Sequence, residues 1–454
     1  MNYTQKYHKY KRKYSIVKNS EFTSNPNSNS GKKSNFTTFY NNDLSLFSQV
    51  GSSSMIGNNN DDDITDYNNN ITDSNNSFTI QLFKNLDTAG NIFSPIGIIY
   101  LLSLIHLATV GNTDYQLKSL IGHNYTPDEL SNIGKLLQQS ISTSIIKMST
   151  MLIINDKYKI NRIYETMIEN LSIIIYEKFD KSELVVNKIN EYILHQTDAR
   201  IKNLLNDIDI DKNCAIVMIS TVYFKADWSN GFGVTNTRKM SFHDSPTNMV
   251  DMMYQTNDFR YYENKKVQGL EMLCNNGEYV MGFILPKRYL EEDELEYNTN
   301  NVPIISDSII NEMINNMEMT RVEIYIPKFT QKKNIELIPI LKKMGITELF
   351  GSQDREIDIL KQLSIPNSQI ISSIVHEAVV EIDESGDNKL DKIAITGFKS
   401  AGSTSILGSK LVPPQSDSIF SSTHKKFKAD HIFIYYVRHI ISGLILFYGD
   451  YQGS

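Results

Sequence analysis

The first strongly patterned stretch of the chain is the apolar run NIFSPIGIIYLLSLIHLATVGNT, residues 91–113. Ser94 is a good helix N-cap, Pro95 suits the first helical position, and Gly111 suits a left-handed cap after the last turn. Apolar residues recur at helical spacing with few charges between them, which predicts a helix buried on most faces. His106 lies within it, and we interpret it as a core histidine rather than a catalytic one.

Helical periodicity continues to about Asn206, and the period then changes. YETMIENLSIIIYEKF and LVVNKINEYILHQTDARIKNLL both predict helices. Segments rich in β-branched and aromatic residues then predict strands: CAIVMISTVYFKADW, EYVMGFILP, RVEIYIPKF, IVHEAVVEID and HIFIYYVRHIISGLILFYGDY. One further helix, NIELIPILKKMGITELF, interrupts them. Helices followed by mostly antiparallel strands predict an α+β domain rather than a doubly wound one.

Composition narrows the range of functions. The chain has 454 residues, of which 40% are hydrophobic, so a substantial core is expected. A net charge of -7 gives no field that would attract nucleic acid or anionic lipid, so neither nucleic acid nor a membrane is an expected partner. Cys214 and Cys274 are too few for a disulfide framework and lack metal-ligand spacing, so we interpret both as buried thiols and expect no metal.

Residues 1–76 differ in composition from the remainder of the chain. They are rich in Asn, Ser and Asp and bury too little apolar surface to offset the entropy of ordering. We therefore predict a disordered extension over 1–76 and one folded domain over 77–454. No apolar segment follows the basic opening MNYTQKYHKYKRKYS, so no signal peptide or anchor is visible. An intracellular setting is the default expectation, and release by another route stays open.

The sequence contains no recognisable catalytic motif. HEAVV lacks the second histidine of H-E-x-x-H, and there is no phosphate-binding glycine loop, G-x-S-x-G elbow or C-x-x-C pair. Serine, histidine and aspartate are plentiful, but a catalytic triad is recognised by geometry and not by inventory. We expect a protein that is not an enzyme and that needs no cofactor.

Several motifs, taken in order, resemble those of one protein family. They are NIFSPIGII, VYFKADW, VDMMYQTNDFRYYE, IYIPKF followed by LKKMGITELF, VHEAVVEIDESG and FKADHIFIYYVRHIISGLILFYGDY. In this order and spacing they resemble the serpins over roughly residues 77–451. The resemblance implies an α+β serpin fold, with N-terminal helices around a large central mixed β-sheet, two smaller sheets and an exposed reactive-centre loop. We expect it to be a monomer.

The predicted strand VHEAVVEID has one mainly apolar face, formed by His376, Ala378, Val380 and Ile382. Glu377 and Glu381 point to the other face, which we expect to be partly wet. The resemblance places this strand beside the reactive loop, and it places Ser94, Trp228 and His376 where the central sheet opens. Trp228, the only tryptophan, also has a plain interpretation as a large core residue.

The segment EIDESGDNKLDKIAITGFKS follows this strand. The resemblance makes Glu384, Ser385 and Gly386 the start of the hinge of a bait loop. As the family works, a target protease attacks the loop and forms an acyl-enzyme, and the freed loop then inserts into the central sheet. The protease is trapped in a distorted state, and the inhibitor is consumed once.

Insertion would bury every second hinge residue, so small uncharged side chains are expected there. The resemblance implies that the inward-facing positions are Asp387, Lys389, Asp391, Ile393 and Ile395. Three of these five are charged, and burying an unpaired charge is costly. Shifting the register by one residue still buries a charge and two polar groups. Two functions therefore stay open: a suicide inhibitor of serine or cysteine proteases, and a non-inhibitory serpin that serves as a binding or storage scaffold.

The chain departs from the usual serpin pattern elsewhere. Gly97 and Ser220 stand where the family usually has serine and asparagine, and Ile432 replaces a common proline. The segment from Gly386 to Phe427 is also longer than the family norm.

The reactive bond is predicted at Lys399-Ser400, because lysine fills the acidic specificity pocket of a trypsin-like protease. The expected partner is therefore a target protease, trypsin-like if the chain is inhibitory. The family's usual distance from Gly386 gives the neighbouring bond Ser400-Ala401 as an alternative, and the length of the loop leaves two more open: Leu407-Gly408 and Lys410-Leu411.

Overall fold

A computed structural model describes residues 62–138, 145–274, 277–288, 295–298, 300–350, 371–386 and 424–453. Its helices are α1 (Asp62–Lys84), α2 (Pro95–His106), α3 (Gly111–Ile121), α4 (Pro127–Gln138), α5 (Arg162–Ile168), α6 (Ser182–Gln196), α7 (Asp307–Asn316) and α8 (Ile338–Lys343). Its strands are β1 (Ile92–Phe93), β2 (Ile145–Asn155), β3 (Ile173–Glu177), β4 (Ile216–Lys225), β5 (Arg238–Phe242), β6 (Ser245–Glu263), β7 (Val267–Cys274), β8 (Tyr279–Pro286), β9 (Glu296–Tyr297), β10 (Pro303–Ile304), β11 (Glu318–Pro327), β12 (Phe329–Glu336), β13 (Ile371–Ile382), β14 (Lys425–Lys428), β15 (Phe433–His439) and β16 (Ile445–Tyr451).

A five-stranded mixed sheet carries the strand that leads into the predicted bait loop. Its order is β12-β13-β4-β2-β3. The β13–β4 and β2–β3 pairs are parallel, whereas β12–β13 and β2–β4 are antiparallel. The middle strands β4 and β13 are buried along nearly their whole length, as their β-branched and aromatic content predicts.

A nine-stranded sheet packs beside it, in the order β1-β16-β15-β8-β7-β6-β11-β14 with β5 paired to β6. β9 and β10 form a two-stranded ribbon. Strands β8, β15 and β16 are buried throughout, which explains their continuous apolar sequences. Helices around mixed sheets confirm the predicted α+β class. No helix in the described ranges has both the length and the apolar character needed to cross a membrane.

Helix α2 lies between the two sheets and is buried along its whole length. Ser94 caps it, since the Ser94 hydroxyl accepts a hydrogen bond from the Gly97 N–H at 3.2 Å, and Pro95 is its first residue. The predicted cap at Gly111 is wrong: α2 ends at His106, and Gly111, with a left-handed φ of 68°, begins α3 instead. His106 is buried, with its Nε2 2.9 Å from Asp114 Oδ1.

Several predicted helices are shorter than their periodicity suggested. In the predicted helix YETMIENLSIIIYEKF, the IIIYE part is strand β3, because its β-branched residues pair with β2. The predicted helix LVVNKINEYILHQTDARIKNLL ends at Gln196, because Asp198 and Ala199 adopt left-handed conformations that turn the chain. In NIELIPILKKMGITELF, only Ile338–Lys343 is α-helical, since Asn334 to Glu336 complete β12.

The folded part of the chain begins earlier than predicted. Helix α1 starts at Asp62, so the boundary at Ser77 falls inside a helix. Ile71, Phe78 and Asn75 are buried, and the Asn75 side-chain oxygen accepts a hydrogen bond from the Ile445 N–H at 2.9 Å. The Asn- and Asp-rich composition of this helix led to the prediction of disorder, whereas its position depends on contacts with a strand that is distant in sequence. The disorder predicted for residues 1–61 lies outside the described residues.

Candidate functional site at the opening of the five-stranded sheet

The residues predicted to lie where the sheet opens lie along the line at which β4 and β13 meet, which we call the seam. These strands pair directly in parallel register, from Ile371 opposite Ile216 to Glu381 opposite Lys225. Neighbouring parallel strands run the same way, so a strand placed between them could pair antiparallel with both. The seam is therefore a place where one additional strand could satisfy its main-chain groups on both sides.

The seam is covered on both of its faces. Ala378 and Val380 face the core around α2, as predicted, whereas Val375 and Val379 face a second core under α6. The prediction of a partly wet face is wrong for Glu377, which is 1% exposed. Helix α6 and the segment after it exclude water from this face.

Both glutamates on the α6 side of β13 are paired with cations. Lys332 Nζ lies 2.8 Å from Glu377 Oε1, and Arg200 Nη1 lies 2.8 Å from Glu381 Oε1. Burial raises the pKa of Glu377, and the Lys332 ammonium opposes that rise. Because Arg200 lies in the segment after α6, its ion pair fastens that segment across the seam.

His376 occupies the middle of the seam, opposite Ser220 of β4. Its Nε2 accepts a hydrogen bond from the Ser94 N–H at 2.9 Å. Complete burial lowers the pKa of His376 to about 3, so the ring is neutral near pH 7 and can act as this acceptor. The middle of the seam is thus tied directly to the N-terminus of α2.

The unusual residues Gly97 and Ser220 contact each other at this point. The Ser220 hydroxyl donates to the Gly97 carbonyl at 3.2 Å. A Cβ atom on Gly97 would lie 2.8 Å from the Val222 methyl group and 3.3 Å from Ser220 Oγ. A side chain at position 97 would therefore require Val222 to shift where α2 approaches β4.

Trp228 lies where the seam ends and combines two roles. It is 1% exposed and packs edge-on against Phe232, so it is a core residue. Its indole N–H also donates to the Asp383 carbonyl at 2.7 Å, and its main-chain N–H donates to the Ser385 carbonyl at 2.9 Å. Trp228 therefore holds Asp383 and Ser385, which follow β13 and lead into the predicted bait loop.

Glu384 is the second anchor of the hinge. Its carboxylate accepts hydrogen bonds from the Thr237 hydroxyl and from Lys328 Nζ, each at 2.7 Å. Burial alone would raise the pKa of Glu384, but these two donors outweigh it and hold the pKa below its usual value. The Glu384 carbonyl also accepts a hydrogen bond from the Phe232 N–H at 3.1 Å.

Gly386 makes one parallel bridge, to Trp228, and belongs to no strand. A Cβ atom on Gly386 would overlap the Trp228 carbonyl and lie 2.7 Å from Gly231 Cα. A Cβ atom on Gly231 would in turn lie 2.9 Å from the Glu384 carbonyl oxygen. Because Gly231 and Gly386 lack side chains, the main chain of the hinge can contact the main chain of residues 228–231 directly at the end of the seam.

The predicted site residues that the structure describes lie at two positions along the seam. Ser94 and His376 lie at its middle, and Trp228 lies at its end with Glu384, Ser385 and Gly386. The remaining predicted residues lie outside the described residues: Asp387, Lys389, Asp391, Lys399, Ser400, Ala401, Leu407, Gly408, Lys410 and Leu411.

Sequence reasoning missed Lys328 and Thr237, which bind Glu384 of the hinge, and Arg200, which binds Glu381 at the end of β13. Each is distant in sequence from the residue that it contacts, and no spacing pattern marks it. Lys328 follows IYIP in a quoted motif, which was the one available signal.

Neither cysteine offers a reactive group. Both are free and buried, which confirms that interpretation, and burial raises the pKa of Cys214 to about 11. In the ranges that the structure describes, no group of three or more His, Cys, Asp or Glu side chains is arranged to hold a metal ion.

Comparison with known proteins establishes the family. The family model described as Serpin (serine protease inhibitor) matches residues 73–452. The chain belongs to the serpin family. An uncharacterised serpin-like protein of Acanthamoeba polyphaga mimivirus is 43% identical over 385 residues, which cover 84% of this chain and 90% of that protein. Neuroserpin of Homo sapiens is 24% identical over 392 residues, covering 82% of this chain and 88% of neuroserpin.

Solved serpin structures share the fold. Uncleaved ovalbumin superposes with a TM-score of 0.71 at 23% identity, over 85% of this chain and 99% of ovalbumin. Native protease nexin-1 with heparin superposes with a TM-score of 0.69 at 22% identity, over 85% of this chain and 99% of that chain. The predicted serpin fold is confirmed.

Proposed function

We propose that this serpin is a single-use protease trap whose bait loop inserts between β4 and β13 after cleavage. The observation that supports this most strongly is the parallel β4–β13 seam, with the hinge leaving its end at Gly386. The parallel seam offers main-chain partners on both sides to an antiparallel strand that turns back from β13. The hinge is held by side chains and by two main-chain hydrogen bonds, from Trp228 and Phe232, but it belongs to no strand, so little regular pairing must be broken for it to move.

The proposed target is a serine protease that prefers lysine. Its serine hydroxyl would attack the Lys399 carbonyl, the bond to Ser400 would break, and the Ser400 amine would leave with a proton. The protease would then be joined to Lys399 by an ester. Insertion of the loop before water hydrolyses that ester would leave the protease covalently attached.

A second candidate function, a non-inhibitory scaffold, is supported by the charged hinge. Both faces of the seam are covered, so an inserted strand would lose contact with water on each side. If the inserted loop turned back at Ser385, Lys389 would lie beside Glu381, and the Glu381 carboxylate could partly compensate the charge of Lys389. The same turn would bring Asp391 between Val379 and Tyr223, which are both buried, and burying an unpaired carboxylate there opposes insertion.

Incubation with proteases distinguishes the two functions. The purified chain is mixed with trypsin-like, chymotrypsin-like and papain-like proteases and separated on denaturing gels. A trap gives a band at the summed mass with the trypsin-like enzyme, and Lys399→Ala abolishes this band while leaving thermal unfolding unchanged. Complete cleavage without any such band, by every protease, would support the scaffold and contradict the trap.

Asp391→Ala tests the proposed obstacle in the same assay. It removes a charge that insertion would bury, so the fraction of chain found in the complex should rise at least twofold. Asp387→Ala is the matched control, because that residue would lie at the end of the seam near Lys225. An equal effect of both substitutions would show that general loop charge, and not burial at Asp391, limits trapping.

A further inference from the structure

A cavity of about 380 Å³ lies beside strand β2, which is on the opposite side of β4 from β13. Five consecutive residues of β2, from Ile146 to Thr150, line one wall. The opposite wall includes Tyr100 of α2, Gly134 of α4 and Leu171 before β3. This volume lies within the range of about 300–1,000 Å³ that is typical of ligand pockets.

The edge of β2 is open along this cavity. β2 pairs with β4 from Ile145 to Ile154, but it pairs with β3 only from Met151 to Asn155. In the described part of the chain, residues 145–150 therefore lack a strand partner on their outer side. Every second residue of such an edge turns its N–H and C=O groups away from its single neighbour, here toward the cavity.

Two buried hydroxyl groups in the cavity wall also lack partners. Ser149 is 6% exposed and Thr150 is 5% exposed, and neither side-chain oxygen makes a hydrogen bond. A buried hydroxyl without a hydrogen-bond partner is destabilising, and a polar ligand that supplied the partner would remove that cost. The open main-chain edge and the two hydroxyls are independent observations that point to a missing hydrogen-bonding partner.

Charges in the wall do not favour an ionic ligand. Lys147 and Glu169 have opposite signs, and Lys147 is already paired with Asp198. A row of alternating amide groups beside two hydroxyls matches a peptide main chain better than it matches a compact ion.

We propose that the cavity binds an uncharged peptide segment of a partner protein in extended conformation, which adds to β2 beside the point where β3 ends. Side chains that are small and carry a hydroxyl or amide group would face Ser149 and Thr150. Five residues of strand span about 17 Å, which matches the stretch of β2 that lines the cavity. This site is one strand away from the β4–β13 seam and does not depend on the chain being a protease trap.

Amide hydrogen exchange of the intact chain tests this proposal. The probe is a blocked pentapeptide of alternating threonine and serine, and its control is the same peptide with alternate main-chain nitrogens methylated. The pentapeptide should slow exchange in residues 145–150 at least tenfold, whereas the methylated peptide should not, because it cannot complete the ladder. No protection at millimolar pentapeptide, equal protection by both peptides, or protection confined to β4 and β13 would overturn the proposal.

A pair of substitutions tests the hydroxyls. The double variant Ser149→Ala and Thr150→Val removes both oxygens and keeps most of the side-chain volume, so pentapeptide affinity should fall about tenfold. Thr221→Val is the matched control, because Thr221 is also buried and unpartnered but does not line the cavity. If the control weakened binding as much as the double variant, the hydroxyls would not be part of a site.

Discussion

Gly386 shows how strongly one residue can constrain the hinge. Its contact with Trp228 and Gly231 leaves no room for a side chain, although the backbone conformation is not unusual. The sequence alone identified this glycine through the serpin resemblance. It did not reveal the reason, which is the meeting of two main chains that are far apart in sequence.

Gly386→Ala should displace the hinge from Trp228. Because Trp228 is the only tryptophan, its fluorescence reports this local change directly. We expect a red shift of the emission, as water reaches the indole, with a change of less than about 2 kcal/mol in the free energy of unfolding. Ser385→Ala is the control, since Ser385 is exposed. An unchanged emission spectrum in Gly386→Ala would contradict the close contact.

Residue-level prediction succeeded where the cause is local. The N-cap at Ser94 and the first-turn proline follow from the backbone groups that every helix start leaves unpaired. It failed for Glu377, whose burial depends on a helix that packs over it from elsewhere in the chain.

At the scale of elements, the segment after α6 is the part that closes the seam. The Asn334 amide of β12 donates to the Leu204 carbonyl at 2.8 Å, and Asn190 of α6 makes two hydrogen bonds with the main chain of Leu205. With the Arg200–Glu381 pair, these contacts hold the segment across β13. A strand entering the seam would have to loosen them.

Asn334→Ala should loosen this cover. The substitution leaves the Leu204 carbonyl without its donor, which costs about 1–3 kcal/mol locally. Amide exchange of residues 201–206 should accelerate about tenfold while exchange in β15 and β16 stays unchanged. Lys202→Ala is the control, because the Lys202 side chain is exposed. Equal exchange in the two variants would show that Asn334 does not fasten the segment.

Element types were predictable wherever a sequence pattern had a single interpretation. The long apolar strands β4, β8, β13, β15 and β16 and the helix α2 match their patterns closely. The IIIYE stretch did not, because a short apolar run after a helix is compatible with either structure until its partner strand is known.

At the scale of the whole molecule, buried neutral histidines make stability depend on pH. Burial lowers the pKa of His376 to about 3 and that of His439 to about 4, against about 6.5 in the unfolded chain. Below about pH 6.5 the unfolded chain therefore binds more protons at these two histidines than the folded chain does. The stability present above that pH is lost as the pH falls toward the folded-state pKa values.

Between pH 7 and pH 5, each of these two histidines should lower the free energy of unfolding by about 2 kcal/mol. Urea denaturation at the two pH values measures the loss. His376→Gln keeps an acceptor for the Ser94 N–H but cannot be protonated. Between pH 7 and pH 5, the free energy of unfolding of this variant should therefore fall by about 2 kcal/mol less than that of the original chain. Equal losses in the original chain and the variant would show that His376 is not buried as a neutral base.

The overall architecture could be predicted from the order of several motifs, because each motif marks an element with a fixed neighbour in the serpin fold. The start of the folded region could not, since α1 is polar and owes its place to contacts such as Asn75 with Ile445. The fold was thus accessible from the sequence, whereas the long-range pairs that hold the hinge were not.

Insertion of the cleaved loop between β4 and β13 is the central claim, and thermal unfolding measures it most directly. The chain is cut in the bait loop, the protease is inactivated, and the melting temperatures of cut and intact chain are compared by calorimetry. An inserted strand adds buried surface and main-chain hydrogen bonds, so the melting temperature of the cut chain should rise by about 10 °C or more. An unchanged or lower melting temperature would contradict insertion.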